Sequence, residues 1–206
     1  MRSNIKENMF SEEIKKMIGY LKTDRSCIEI SQENIFLEER SKDGEAKLDL
    51  IVNSPCIAFK QVDKNKNSYF AYKKCADNMI FQNVNNTWVL HIVEFKKTVK
   101  SDEWEKIKTQ FLGCLLNAIG MAGYLGINID YKNIQLYTCF RNDKINSQRL
   151  ASPIELRGKV GKSLKKNNTD DWEVGEVELS DFNKLKCRHN KIELNKDTGY
   201  AKYFLK

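Results

Sequence analysis

The chain has 206 residues, with 35 Lys and Arg against 28 Asp and Glu, a formal net charge of +7 and 41% hydrophobic content. That length suits one sizeable domain, or one domain with a small appendage, and the positive balance favours an anionic partner. Six cysteines without a CxxC pair and only two histidines argue against a zinc site and for a reducing cytoplasm, while no apolar run or signal core points to a membrane or to export.

In chain order, Ser11 reads as an N-cap, with Glu12 and Glu13 in the first turn. Phe10, Ile14, Met17, Ile18 and Leu21 recur at helical spacing, so a first helix packs one face on the remainder. Short alternating runs follow: CIEI, IFLEE, then LDLIV (48–52) and CIAF (56–59), with a turn at 41–45 and Asn-Ser-Pro between the last two. Residues 62–68 read as a polar loop and 68–74 as another strand. MIF, the turn QNVNNT and the long run WVLHIVEFK predict a hairpin whose second arm is apolar on both faces, as in a central strand covered on both sides.

A long helix then runs to about Leu125 and ends near Gly126. Ser101 or Asp102 is its cap, and Phe111, Leu112, Leu115, Leu116, Ile119 and Ala122 form its apolar face. The strand NIQLYTCF (133–140) follows. The succession of helix, antiparallel strands, long helix and strand predicts an α/β (α+β) fold with a mixed sheet flanked by helices over residues 1–150. Residues 151–206 read as a basic, β-rich extension packed on that core. Its strands are expected at 172–179, 191–194 and 200–205, the last two joined as a hairpin by NKDTG.

The hairpin carries the chemistry. A turn centred between Asn85 and Asn86 pairs Phe81 with Leu90, Met79 with Ile92 and Asp77 with Glu94, and puts all six on one sheet face together with Lys96. Facing carboxylates repel, and a divalent cation between them removes that cost. A cation plus a nearby lysine suits phosphodiester hydrolysis. His91 has the opposite parity and reads as a buried, satisfied histidine. Asp49 ranks second as a metal-binding aspartate, and Glu12, Glu13, Glu38 and Glu39 remain open as sources of a further carboxylate.

Asp77, sixteen intervening residues, and Glu94-Phe95-Lys96 at the end of an apolar strand resemble the PD-(D/E)xK nuclease superfamily. The resemblance implies a restriction-endonuclease-like core: a helix, a three-stranded antiparallel meander, a crossing helix and a further strand. It implies Mg²⁺, with Mn²⁺ able to substitute, on Asp77, Glu94 and the Phe95 carbonyl. It implies a catalytic Lys96 and a supporting Gln110 on the following helix, with Lys106 one turn earlier on the same side. The expected function is hydrolysis of nucleic acid, DNA ahead of RNA, in defence against or processing of foreign DNA. Two copies would be needed to cut both strands at once.

Lys106 and the basic run with Lys162, Lys165 and Lys166 are expected to hold nucleic-acid phosphates. The GKS of that run lacks the spacing of a P-loop, so no nucleotide cofactor is expected. The alternative reading is a noncatalytic nucleic-acid-binding subunit, or a protein-interaction subunit or inhibitor, built on the same fold.

Overall fold

A computed structural model of the chain describes residues 9–21, 27–41, 44–65, 73–145, 170–179 and 182–205. It is a mixed α/β arrangement in three layers. In chain order its elements are α1 (Glu12–Gly19), β1 (Ile28–Ser31), β2 (Asn34–Ser41), β3 (Gly44–Ile51), β4 (Cys56–Phe59) and the single turn α2 (Val62–Asn65). They continue with β5 (Asn78–Val84), β6 (Thr87–Val99), α3 (Ser101–Leu125), a 3₁₀ turn (Tyr131–Asn133) and β7 (Gln135–Asp143). The short helix α4 (Asp170–Val174), β8 (Glu176–Leu179), β9 (Leu185–Glu193) and β10 (Tyr200–Phe204) complete the order. The expected strand at 68–74 lies largely outside the described residues, and Lys73 and Lys74 are not in a strand.

The central layer is a seven-stranded sheet in the order β1-β4-β5-β6-β7-β9-β8. β4, β5 and β6 form an antiparallel meander, and β6, β7 and β9 run parallel. The β5–β6 turn has Asn85 at φ 51° and Asn86 at φ 64°, the left-handed pair that asparagine tolerates and a two-residue hairpin requires. The turn fixes the register: Met79 pairs with Ile92 and Phe81 with Leu90, as the alternation predicts. β6 is central, which explains why it is apolar on both faces.

One face of this sheet is covered by α1, α3 and α4. Phe111, Cys114, Leu115 and Ala118 of α3 meet Phe81, Leu90 and Ile92, all of them buried. Burying a Leu or Phe of this kind contributes about 1.5–3 kcal/mol. The N-cap of α3 is Lys100, without a side-chain cap, so Ser101 and Asp102 sit inside the first turn instead. At the other end Gly126 takes φ 68°, and the Ile127 N–H reaches the Ala122 carbonyl at 2.8 Å, closing the helix.

The opposite face is covered by a smaller sheet in the order β10-β3-β2. Ile35, Leu37, Leu48 and Leu50 of this sheet pack on Ile80, Val93, Phe95, Tyr137 and Cys139 of the large one.

The described part of the C-terminal region enters both sheets. β9 pairs with β7 in the large sheet, and β10 pairs in parallel with β3, Tyr200 opposite Lys47. β9 and β10 are therefore not partners in a hairpin. The turn at 195–199 carries the chain from one layer to the other, because Leu194 and Leu205 are both buried between the sheets. The expected strand 172–179 is split: Trp172 belongs to α4, Gly175 breaks the chain direction at φ 71°, and β8 begins at Glu176. Val62–Asn65, read as loop, is helical. Among the described residues, no helix is long and apolar enough to cross a membrane.

Candidate active site

β5 begins at Asn78, so among the described residues the C-terminal half of β6 has no antiparallel neighbour beyond Val93. Asp77 stands at that junction, opposite Glu94. The two residues latch crosswise. The Asp77 N–H donates to Glu94 Oε2 at 3.2 Å, and the Phe95 N–H donates to Asp77 Oδ2 at 2.7 Å. Glu94 is fully buried and Asp77 is 9% exposed. In an extended strand the N–H and C=O of one residue project to the same side, so the Phe95 carbonyl also faces the gap left by β5. Lys96, the next residue of that face, donates to Glu94 Oε1 and keeps its side chain 22% exposed.

Gln110 approaches from α3. Its Nε2 donates to the Cys75 carbonyl at 3.4 Å, its backbone carbonyl accepts the Ala76 N–H at 3.1 Å, and its side-chain amide lowers the Glu94 carboxyl. The helix thus grips the segment leading into Asp77. Lys106, one turn earlier, is half exposed and pairs with Glu103 at 2.7 Å. Asp77, Glu94, Lys96 and Gln110 are therefore brought together, with Lys106 at the rim. Lys162, Lys165 and Lys166 lie outside the described residues.

Burial pushes the Asp77 carboxyl well above the usual carboxylate range, and the charges of Glu94 and Glu39 push it further. Burial also raises Glu94, to about 7, against the pull of Lys96. For Lys96, burial acts downward but is outweighed by Glu94, Asp77 and Glu39, so its ammonium is held above its ordinary range. The site is thus an acid pair kept at an energetic cost, with one cation against it.

Of the four carboxylates left open by the sequence, Glu39 is the one whose charge acts on Asp77 and Glu94. Ile35 and Leu37 point into the inter-sheet core, and Glu39 is the next position of that parity on β2. It lines a small hollow with Lys96, Lys97 and Arg141, and burial raises its own carboxyl. The alternation Ile35, Leu37, Glu39 is the signal that singles it out from Glu38, which shares the parity of half-exposed Phe36 and pairs with Arg40. Glu12 is on α1 and pairs with Lys15 at 2.7 Å, and neighbouring Glu13 is exposed. Asp49 sits on β3, opposite Phe36 and Lys202, with a parity that points away from the large sheet.

His91 faces the inter-sheet side, with Nε2 on Gln82 at 2.8 Å and Nδ1 on the Tyr137 hydroxyl at 3.1 Å. Burial lowers its pKa to about 3, consistent with a neutral core residue. On the helix side, Thr138, the parallel neighbour of Glu94, bonds His189 Nε2 at 2.9 Å.

Among the described residues, no group of three or more His, Cys, Asp and Glu side chains is arranged to hold a metal. Two carboxylates nevertheless match what Mg²⁺ commonly takes from a protein, with water and phosphate oxygens filling the remaining positions. The donor set is all oxygen, and repulsion between Asp77 and Glu94 is the cost a cation would remove, so these residues fit a hard divalent ion. Compared with protein-family models, curated proteins and solved structures, the chain finds no match.

Proposed function

We propose that the protein is a metal-dependent nuclease of the PD-(D/E)xK type that hydrolyses phosphodiester bonds, with DNA ahead of RNA as substrate. The observation that carries this reading is the buried Asp77–Glu94 pair, latched through two backbone N–H groups, with Lys96 on the same strand face. An ordinary strand end would not bury two facing carboxylates and hold them both above their usual range. The order α1, the β4–β5–β6 meander, α3 and parallel β7 supports the same reading, because it follows the element order that the resemblance implies.

Asp77, Glu94 and the Phe95 carbonyl would hold Mg²⁺ or Mn²⁺. When bound, the ion would polarise the phosphoryl oxygen and acidify a water. The remaining roles belong to the chain. The Phe95 N–H fixes the Asp77 carboxylate, and the Asp77 N–H fixes that of Glu94, so neither must reorganise during the reaction. Lys96 places a positive charge where the attacked phosphate gains negative charge. Gln110 holds the Cys75–Ala76 segment and thereby the position of Asp77. The direct test is cleavage of single- and double-stranded DNA and RNA in Mg²⁺, Mn²⁺ and EDTA. Cleavage in the metal buffers that vanishes in EDTA and in Lys96→Ala is expected. Salt-dependent binding without cleavage would favour the noncatalytic alternative.

A further inference from the structure

A larger cavity, of about 370 Å³, lies between β2 and the α2 turn and is lined by Phe36, Glu38, Arg40, Lys60, Gln61 and Lys64. It adjoins the acid pair through α2, which hangs from Asp77: the Val62 N–H donates to the Asp77 carbonyl at 2.7 Å. Across β2 from the cavity stands Glu39, which feels the charges of Lys96, Asp63 and Lys64.

The lining combines one aromatic ring and three cations with one carboxylate, Glu38, which Arg40 offsets. Phe36 is 39% exposed, whereas its strand neighbours Ile35 and Leu37 are wholly buried, so its ring is available on the outer face of the small sheet. Lys60 pairs with Glu29 at 2.6 Å, Arg40 with Glu38 and Glu45, and Lys64 donates to Gln61 Oε1 at 3.4 Å. The Arg40 pairs are largely solvated, so they are weak and can yield to a phosphate, whereas Lys60, 15% exposed, stays with Glu29 and adds its charge from the cavity wall. Aromatic rings that stack bases, beside cations that track the backbone, are how proteins hold single strands. The volume is at the low end for a small-molecule site and suits one nucleotide. A base inside a duplex has both faces stacked and cannot offer one to Phe36.

We propose that this cavity is a nucleotide subsite for single-stranded nucleic acid, the base stacking on Phe36 and the phosphates lying against Arg40 and Lys64, beside the bond presented to Asp77 and Glu94. The choice of bond rests on the nuclease reading; the binding does not.

The test is fluorescence anisotropy in EDTA, with a fluorescein-labelled oligodeoxyadenylate and the same strand carrying abasic spacers in place of its bases. Phe36→Ala and Phe36→Leu should weaken binding of the first about ten-fold and leave the second unchanged. Leu keeps the apolar bulk and removes only the ring, and a thermal melt confirms folding. Phe36→Trp should retain affinity and show quenched emission on adding deoxyadenosine monophosphate. Lys64→Ala should weaken both strands and flatten the salt dependence. Equal affinity of wild type and both Phe36 variants for both strands, or equal losses on both, overturns the subsite. Metal-dependent cleavage by the wild type in that case leaves the nuclease reading intact. A base-dependent loss without cleavage in any metal overturns the nuclease reading alone.

Discussion

Glu94→Gln is expected to stabilise the folded protein in metal-free buffer above neutral pH, and to lose that advantage in acid. The wild-type carboxyl is raised by burial from 4.5 to about 7. A raised folded-state pKa means the native protein binds a proton more tightly than the unfolded chain. The charged form therefore costs stability above pH 7, and the cost fades as pH falls toward 4.5. Linkage puts the cost at about 3 kcal/mol at pH 8 and about 1 kcal/mol at pH 5. Gln keeps an oxygen to accept the Asp77 N–H but leaves Lys96 without Glu94. Lys96 can turn to solvent, since its side chain is 22% exposed, so the offset is about 1 kcal/mol. The net expectation is a gain of about 2 kcal/mol at pH 8 that disappears by pH 5. Urea unfolding in EDTA at the two pH values measures it. A variant that is less stable than wild type at pH 8, or a difference that does not change with pH, would refute the idea that burial of this carboxylate is held at a cost.

Three further outcomes follow from the same geometry. Lys96→Ala should abolish cleavage while the protein still folds and binds nucleic acid in EDTA, with a melting temperature lowered because the buried acid pair loses the cation beside it; turnover at the wild-type level would remove Lys96 from the mechanism. Asp77→Asn should melt higher than wild type without metal, because burial and repulsion no longer act on a charge, and should lose the upward shift that Mn²⁺ gives wild type; equal shifts in both proteins would place the metal elsewhere. His189, lowered by burial to about 3, contributes stability that is intact above its ordinary 6.5 and is lost as pH falls toward 3; His189→Phe should therefore lose about 2 kcal/mol less than wild type between pH 7 and pH 5, and parallel losses in urea titrations would show that this histidine does not set the acid response.

The hairpin and its acid pair were legible because the information is local. Period-two alternation, an Asn-Asn turn and a one-in-two count of residues determine which side chains share a face, and Asp77 and Glu94 follow from Met79 and Ile92. α3 was legible for a similar reason, since its apolar face repeats over many turns. The pairing of β10 with β3 was not, because a five-residue strand carries no mark of a partner far back in the chain, and a nearer strand made the hairpin the natural choice. Glu39 was half legible. Its strand and parity were readable, but that this face looks toward Lys96 depends on how two sheets stack, which no local pattern encodes. The cavity beside Phe36 has the same origin: Phe36 comes from β2, while Lys60 and Lys64 flank and belong to the α2 turn.

The parallel pairing of Tyr200 with Lys47 also has a consequence in time. During synthesis β3 emerges long before β10. At about 5–20 residues per second, the interval is roughly 8–30 s. Throughout it, β2 and β3 can pair with each other, but one edge of β3 stays open and the Leu48–Leu50 side has no β10 beside it. An open, half-covered strand edge is a template for pairing with another chain. The nascent protein must therefore be guarded for seconds at the sheet that later frames the Phe36 cavity, and slow translation of the intervening chain should lower its soluble yield more than it lowers total synthesis.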